Sequence, residues 1–239
     1  FSALTLTGNL TATVTDGTDT NGALTQTGAL VIPGTTTITA TGSNVTMDNA
    51  SNNFAKIGVT GATVALREAV AVILGTATVT GTYTLTAGGA VTQSGALAIA
   101  SDVSTISASG QNVTLENTSN NFATIGVTGA VVSIVDSNAV ILGASTVSGT
   151  YTVETKSANI TNSGTLTITG VPTFKVVNGA SITVASASNN FASTPVFTAT
   201  SGTIADVTIV DNSALAFGAL TITGNLTATV TDGTDTNGA

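Results

Sequence analysis

The chain of 239 residues contains no histidine, no cysteine and no tryptophan, and only 3 prolines. The missing imidazole and thiol groups exclude histidine as a general base, cysteine as a nucleophile and zinc sites built from either residue. Charged residues make up 7% of the chain, against about 25% in an ordinary globular domain. We therefore expect no enzyme activity, and a stability that depends weakly on salt and pH.

Positive charge is also scarce. The formal net charge is -8, and the four basic residues (Lys56, Arg67, Lys156 and Lys175) are scattered along the chain. Nucleic-acid binding requires clustered lysine and arginine, and so does a polybasic membrane surface. The longest apolar run, 69–74, is far shorter than the roughly 18 residues of a membrane span. The sequence therefore predicts no nucleic-acid partner and no membrane insertion.

The residues that are abundant favour β-strands. Hydrophobic residues make up 42% of the chain, with 26 glycines and 51 threonines, and the mean hydropathy is +0.46. Apolar residues and threonines alternate in segments such as 35–40 and 82–86. A period of two places the apolar side chains on one face of a strand and the threonines on the other. Breaks rich in Gly, Asn and Ser separate these segments, as turns require.

The strongest signal is an internal repeat. The motif Ser-Asn-Asn-Phe-Ala occurs at 51–55, 119–123 and 188–192, so its three copies are almost evenly spaced. The surrounding sequence agrees at length between the first two copies and has drifted in the third. This pattern divides the chain into three repeat units, at 22–89, 90–157 and 158–239. A fixed period of this kind is typical of a solenoid rather than of separate globular domains.

A longer repeat spans the three units. Residues 3–23 return at 219–239 with one change, Leu6 to Ile222, so that 1–23 repeats as 217–239. We call the stretch from residue 1 to residue 216 the super-repeat. The sequence therefore predicts one solenoid segment that belongs to a longer repetitive chain and continues on both sides.

The unit length indicates the architecture. Each unit divides into three segments of about 20 to 26 residues, and each segment supplies one coil with two or three short strands. The predicted fold class is all-β: a right-handed parallel β-helix, or β-solenoid, of roughly ten coils. One coil cannot bury its own apolar face, so stability is expected to come from stacking on its neighbours.

The recurrent asparagines and phenylalanines are the candidate structural residues. Asparagine tolerates the backbone conformations of tight turns, and stacked asparagine side chains form amide ladders. Because the motif recurs three coils apart, we expect its copies to line up at one corner, where the phenylalanines fill the core. The predicted ladder and core residues are Asn52, Asn53, Phe54, Asn120, Asn121, Phe122, Asn189, Asn190 and Phe191.

These residues carry a family resemblance. The run that begins Asn-Asn-Phe-Ala-Thr-Ile-Gly at Asn120 and extends to Val153 resembles the β-strand repeats of giant bacterial surface proteins. These are adhesins of the filamentous-haemagglutinin and autotransporter type. The resemblance covers nearly the whole chain and carries no catalytic motif. It implies an extracellular, cell-surface rod used for adhesion or as an envelope fibre, with other copies of the rod, cells or surfaces as partners.

Two kinds of polar cluster suggest other chemistry. Acids such as Glu68 and Asp136 lie near equivalent positions of the repeat, and we expect them to be solvated turn residues rather than a catalytic pair. The segment 16–22 and its copy 232–238 are the densest clusters of oxygen ligands, and calcium prefers Asp, Asn and carbonyl oxygens. Their spacing matches neither the helix-loop-helix calcium loop nor the glycine-rich nonapeptide repeat, so we predict no cofactor and keep calcium as the alternative.

Threonine rows suggest a second function. Regular rows on a flat solenoid face can order water and bind ice, and 35–39 and 227–231 supply such rows locally. The row shifts to other residues in places such as 103–108. The leading prediction is therefore a structural and adhesive module of an extracellular filament, without catalysis. An ice- or glycan-binding solenoid is the alternative, and a polysaccharide-active enzyme is a more distant one.

Overall fold

Strands supply all the regular secondary structure in the part of the chain that the computed structural model describes, residues 1–15 and 23–231. No helix in these two ranges is long and apolar enough to cross a membrane. The strands are β1 Leu4–Thr5, β2 Leu10–Thr13, β3 Ala23–Thr25, β4 Leu30–Thr39, β5 Asn44–Met47, β6 Asn53–Gly61, β7 Val64–Glu68, β8 Val72–Val79, β9 Tyr83–Ala87, β10 Val91–Gln93, β11 Leu97–Ser107, β12 Val113–Leu115, β13 Asn121–Gly129, β14 Val132–Asp136, β15 Val140–Leu142, β16 Ser145–Val147, β17 Tyr151–Thr155, β18 Ile160–Asn162, β19 Leu166–Ile168, β20 Pro172–Val176, β21 Ile182–Val184, β22 Asn190–Phe191, β23 Val196–Ala199, β24 Val207–Asp211 and β25 Leu226–Val230.

The strand pairings arrange these elements on three sides of a rod, and each pairing is parallel. Side A is the column β3-β5-β7-β9-β11-β13-β16-β19-β22. Side B is the column β1-β4-β6-β8-β10-β12-β14-β17-β20-β23. Side C is the column β2-β4-β6-β8-β11-β13-β15-β18-β21-β24-β25. The long strands belong to two columns because they continue around a corner of the rod.

The result is a β-solenoid of about ten turns with about 21 residues per turn. The prediction of an all-β parallel solenoid of roughly ten coils is confirmed. Each strand is bonded only to the turns directly below and above it, so nearly all contacts between strands join residues about one turn apart. The chain is therefore a stack of similar layers rather than a globule with a single centre.

The alternation in the sequence produces the core. In β9, Tyr83, Leu85 and Ala87 are buried, while Thr84 and Thr86 between them are exposed. The same pattern recurs along the rod and forms one continuous apolar cluster from Leu30 to Ile209. Burial of apolar side chains contributes about 25 cal/mol per Å² of area removed from water. Since a single turn leaves its apolar face open, this contribution depends on the neighbouring turns.

From one repeat unit to the next, the motif moves to the next side of the rod. The first motif follows β5 on side A, the second follows β12 on side B, and the third follows β21 on side C. The reason is arithmetic, because at about 21 residues per turn the spacing between motif copies corresponds to about three and a third turns. Three units make ten turns, so the super-repeat returns the pattern to its starting side. Accordingly β2 and β25, which are separated by one super-repeat, both lie on side C.

Candidate functional site: the corner clamps

The three motif asparagines lie at three different corners of the rod. Asn52 stands between sides A and B, Asn120 between B and C, and Asn189 between C and A. The expectation that the copies line up at one corner was therefore wrong, because the unit is not a whole number of turns. All three side chains are fully buried. Each contacts an amide side chain of the turn below and shares its corner with a carboxylate of the turn above. We call each such set of three side chains a corner clamp.

The first clamp consists of Gln26, Asn52 and Glu68. The two amides face each other: Gln26 Nε2 donates to Asn52 Oδ1 and Asn52 Nδ2 donates to Gln26 Oε1, each at 2.8 Å. Asn52 Oδ1 also accepts from the backbone N–H of Leu30 at 2.9 Å, and Asn52 Nδ2 donates to the carbonyl of Met47 at 3.0 Å. One asparagine thus closes its own turn and ties it to the turn below.

The carboxylate completes the clamp from above. Glu68 Oε2 accepts a hydrogen bond of 2.9 Å from the backbone N–H of Phe54. Phe54 follows Asn52 closely in the chain, and its ring is buried in the core. The first clamp therefore joins three successive turns through side-chain hydrogen bonds, in addition to the backbone bonds of the strands.

The second clamp, Gln93, Asn120 and Asp136, repeats this geometry. The paired amide bonds measure 2.8 and 2.9 Å, and Asn120 Oδ1 accepts from Leu97 N–H at 3.0 Å. Asn120 Nδ2 also donates to the carbonyls of Leu115 and Val135, which makes five hydrogen bonds for one side chain. Asp136 accepts from Phe122 N–H at 2.7 Å, and its other oxygen accepts from Asn138 N–H at 2.7 Å.

The third clamp, Asn162, Asn189 and Asp211, uses a shorter amide. Asn162 Nδ2 donates to Asn189 Oδ1 at 3.1 Å. Asn189 Oδ1 accepts from Leu166 N–H at 2.9 Å, and Asn189 Nδ2 donates to the carbonyl of Val184 at 3.1 Å. Asp211 accepts from the backbone N–H of Phe191 at 3.2 Å, as the acids of the other clamps do for their phenylalanines.

The clamp carboxylates are buried, so the expectation of solvated turn residues was wrong for Glu68 and Asp136, although the recurrent pair Asp48 and Glu116 is exposed. Glu68, Asp136 and Asp211 have 2%, 0% and 0% of their surface exposed. Burial raises the pKa of Glu68 to about 8, although the hydrogen bond from Phe54 acts in the opposite direction. Burial likewise raises the pKa of Asp136 against the bonds from Phe122 and Asn138. Glu68 is therefore mostly protonated at neutral pH.

Sequence reasoning missed the clamp partners, yet the signal was present. In β7, Val64, Leu66 and Glu68 alternate with Ala65 and Arg67, so the acid occupies an inward position of the strand. Asp136 holds the corresponding place in β14. An acid that continues an apolar alternation faces the core, and this rule identifies both residues without a structure.

The remaining predicted residues divide into two groups. Asn53 is exposed, and Asn121 and Asn190 are half-buried; no side-chain hydrogen bond is described for any of the three. The phenylalanines of the motif are all buried. Phe191 also joins an aromatic cluster, because its ring meets Phe174 edge to face at 6.2 Å, and Phe174 in turn stacks on Phe197 at 5.8 Å.

The described residues include no group of three or more His, Cys, Asp or Glu side chains that could hold a metal ion. The calcium alternative at 16–22 and 232–238 falls outside the ranges that the structure describes. On the surface, Glu154 Oε1 contacts Lys156 Nζ at 2.6 Å and Lys175 Nζ at 3.4 Å. Partial burial alone would raise the pKa of Glu154, but the hydrogen bonds and charges of these two lysines lower it overall.

The clamps can hold the backbone but are poorly placed for catalysis. Each carboxylate accepts a backbone N–H and is enclosed by the core, so it does not reach a substrate at the surface. A glycosidase needs two accessible carboxyl groups on opposite sides of a bond. The chemistry that the clamps support is therefore hydrogen bonding between turns, at corners where the strand ladder is interrupted.

Comparison with known proteins places the chain among repeat proteins. The model of a family described as repeats of unknown function (DUF5649) matches residues 1–60, 61–129, 128–198 and 204–239, and so covers nearly the whole chain. No curated protein and no solved structure matches the chain. The two complete internal matches extend over about one repeat unit each, as the motif spacing requires. The chain therefore belongs to the family of repeats of unknown function (DUF5649).

Proposed function

We propose that the chain is a structural module: a stiff rod segment that separates or connects other parts of an extracellular bacterial filament or surface protein. The observation that supports this proposal most directly is the set of corner clamps. Three successive units each devote buried hydrogen-bonding groups to joining neighbouring turns. Buried polar groups are costly unless they are paired, and the hydrogen bonds that these groups make join neighbouring turns. Two clamp oxygens, Glu68 Oε1 and Asp211 Oδ2, have no hydrogen-bond partner among the described residues.

The module acts without catalysis in this proposal. The acids of the corner clamps are enclosed, and the chain has no histidine or cysteine. Its surface offers few charges, so association with cells or surfaces would rest on the hydroxyl and amide groups of the strand faces. The resemblance to filamentous-haemagglutinin and autotransporter adhesins supports an adhesive role and a position outside the cell.

The shape of the purified chain tests the structural role. Ten turns at about 4.8 Å per turn give a rod of roughly 50 Å, and cryo-electron microscopy of the native material should show an axial spacing of about 4.8 Å. Small-angle scattering should yield an elongated particle of that length. A compact, nearly spherical particle would overturn the proposal. Adhesion is tested separately, by retention of cells on a surface coated with the chain, with a surface coated with albumin as control.

One observation favours a ligand-binding solenoid as the second candidate. On side B, hydroxyl side chains occupy one outward position on five successive turns: Thr92, Thr114, Ser133, Thr152 and Thr173. Such a row could bind ice or a glycan through repeated hydroxyl groups.

The surroundings of this row favour the structural role. Two residues further along these strands, three of the five turns carry charged side chains instead of a second row of threonines: Glu116, Glu154 and Lys175. On side C, the row Thr13, Thr39, Thr60 and Thr78 ends at Ala98. A flat two-row array is therefore interrupted on both sides. The test of this candidate is thermal hysteresis or glycan-array binding by the purified chain. Activity that is lost when Thr114 and Thr152 are replaced with valine would favour ligand binding over the structural role.

A further inference from the structure

The same short sequence occupies two environments in this molecule. Residues 1–15 and 217–231 belong to the two copies of the super-repeat, so β2 and the first four residues of β25 have the same sequence, Leu-Thr-Ala-Thr. β2 is covered by the turn above it, and Leu10, Ala12 and Val14 pack against the core. β25 rests on β24 below, and all five of its residues are exposed, with Leu226 at 45% and Val230 at 51%.

From this pair of environments we infer that β25 is the binding surface for another copy of the super-repeat. The turn from residue 23 to residue 43 of that copy covers β25, just as residues 23–43 of this chain cover β2. The inference rests on the proposed structural function and adds the partner, the face and the register. The register follows from the internal precedent. Leu10 pairs with Thr36, Ala12 with Ile38 and Thr13 with Thr39. Leu226, Ala228 and Thr229 therefore pair with Thr36, Ile38 and Thr39 of the second copy.

The backbone polarity of the end strand agrees with this register. Val14 N–H donates to the carbonyl of Thr39 on the turn above at 2.8 Å, while Thr231 N–H donates downward to Asp211 at 2.8 Å. Val230 is the counterpart of Val14, so its N–H points away from β24, toward the carbonyl of Thr39 in the second copy. An open strand edge with exposed Leu and Val is otherwise a site of uncontrolled pairing.

The geometry of the super-repeat removes the usual obstacle to such stacking. A second copy must present its strands on the same sides as the first, or the inward and outward faces conflict. Because one super-repeat makes ten turns and β2 and β25 lie on the same side, the second copy begins in phase. The sequence 1–216 followed by 1–239 is therefore expected to form one rod without a hinge.

The test uses this tandem protein with two cysteines, one on each side of the shared turn. Val210→Cys in the first copy and Thr39→Cys in the second copy lie on one outward line, two turns or roughly 10 Å apart. The matched control is the single chain with Thr13→Cys and Thr60→Cys, which are also two turns apart on side C. The natural chain contains no cysteine, so a bismaleimide whose reach matches two turns reports only these pairs.

We expect equal crosslinking yields in the tandem protein and in the control, and a scattering length about twice that of the single chain. Val230 N–H of the single chain should exchange rapidly with solvent, and its counterpart in the tandem protein should exchange at least ~100-fold more slowly. Efficient crosslinking in the control but not across the junction, with scattering from two hinged rods, would overturn the inference and leave the structural role intact. If the two cysteines of the control do not crosslink, the stacking of turns in the single chain is itself contradicted.

Discussion

The second and third corner clamps perform one task with different numbers of hydrogen bonds. Asn120 makes five, including two with Gln93, whereas Asn189 makes three, of which one is with Asn162. The shorter side chain of Asn162 reaches only the oxygen of its partner. Three bonds are present in both clamps. Two join the asparagine to the backbone, one from Leu97 or Leu166 and one to Leu115 or Val184, and the third runs from the lower amide to the asparagine Oδ1.

This difference separates what a clamp requires from what improves it. The requirement is a buried amide that satisfies the backbone where the chain turns the corner, since unpaired buried backbone groups are costly. The amide of the turn below strengthens this arrangement but tolerates drift from glutamine to asparagine. The third unit, whose sequence has drifted furthest, keeps the requirement and has gained an aromatic cluster beside it.

Removing the central amide should have the largest effect and should be unequal between the two clamps. Asn120→Ala leaves Leu97 N–H and two carbonyls without partners, so we expect a loss of roughly 3 kcal/mol or more in the free energy of unfolding. Asn189→Ala leaves fewer groups unpaired and should cost about 2 kcal/mol. Urea denaturation measures both. Asn121→Ala, at the neighbouring half-buried position, is the control and should be nearly neutral; equal losses at 120 and 121 would contradict the clamp.

A pH series extends the comparison to the acid of the first clamp. The pKa of Glu68 is about 8 in the folded chain against 4.5 for the free side chain. Between these values the folded chain holds a proton that the unfolded chain has released. The stabilising contribution is therefore complete below about pH 4.5 and is lost as the pH rises through 8, at no more than about 1.4 kcal/mol per pH unit.

Denaturation midpoints measured from pH 5 to 9 should therefore fall as the pH rises. Glu68→Gln, which cannot ionise, should make the curve less steep and leave the contribution of Asp136, whose pKa burial also raises. This expectation replaces the weak pH dependence inferred from the low number of charges. One buried acid with a raised pKa changes the free energy of unfolding with pH even when charged residues are few. Glu116→Gln is the control, since that carboxyl is exposed. A wild-type curve that rises over this range would show that Glu68 is ionised in the folded chain.

The aromatic cluster should make the third clamp more sensitive to loss of its phenylalanine. Phe191 meets Phe174 edge to face, and within the described part of the chain Phe122 has no aromatic partner. Aromatic pairs contribute about 0.5–1.5 kcal/mol beyond the buried area, so Phe191→Leu should cost about 1 kcal/mol more than Phe122→Leu. Thermal or chemical denaturation of both variants measures the difference. If the two variants lose the same free energy of unfolding, the aromatic cluster stabilises the fold only through the apolar area that it buries.

The smallest expected effect is a repair of the third clamp. Asn162→Gln gives the shorter amide the reach of Gln93, so that Asn189 Nδ2, which donates to the carbonyl of Val184, can also donate to the side-chain oxygen at position 162. We expect stabilisation of about 0.5–1 kcal/mol, the net contribution of one hydrogen bond. The reciprocal variant Gln93→Asn should lose a similar amount in the second clamp. A destabilised Asn162→Gln variant would show that the third corner has closed around the shorter side chain.

Most of the fold could be predicted from the sequence, because the alternation of apolar residues and the spacing of the motif are properties of each strand and each unit. The burial of Phe54, Phe122 and Phe191 follows from the same patterns. The corner positions could not be read from the motif alone. They depend on the number of residues per turn, and a small change in that number moves Asn120 from one side of the rod to another. Gln26 and Glu68 could not be identified from the motif, because Gln26 meets Asn52, and Glu68 meets Phe54, only where successive turns stack.

The rotation of the pattern also has a mechanical consequence. If the clamps followed one corner, the rod would have a reinforced edge and two weaker ones, and a sideways force would bend it in a preferred plane. With Asn52, Asn120 and Asn189 on three different corners, the reinforcement winds around the axis once in every ten turns. Averaged over that length, bending stiffness is the same in all directions, as it is in a rope whose strands are laid helically.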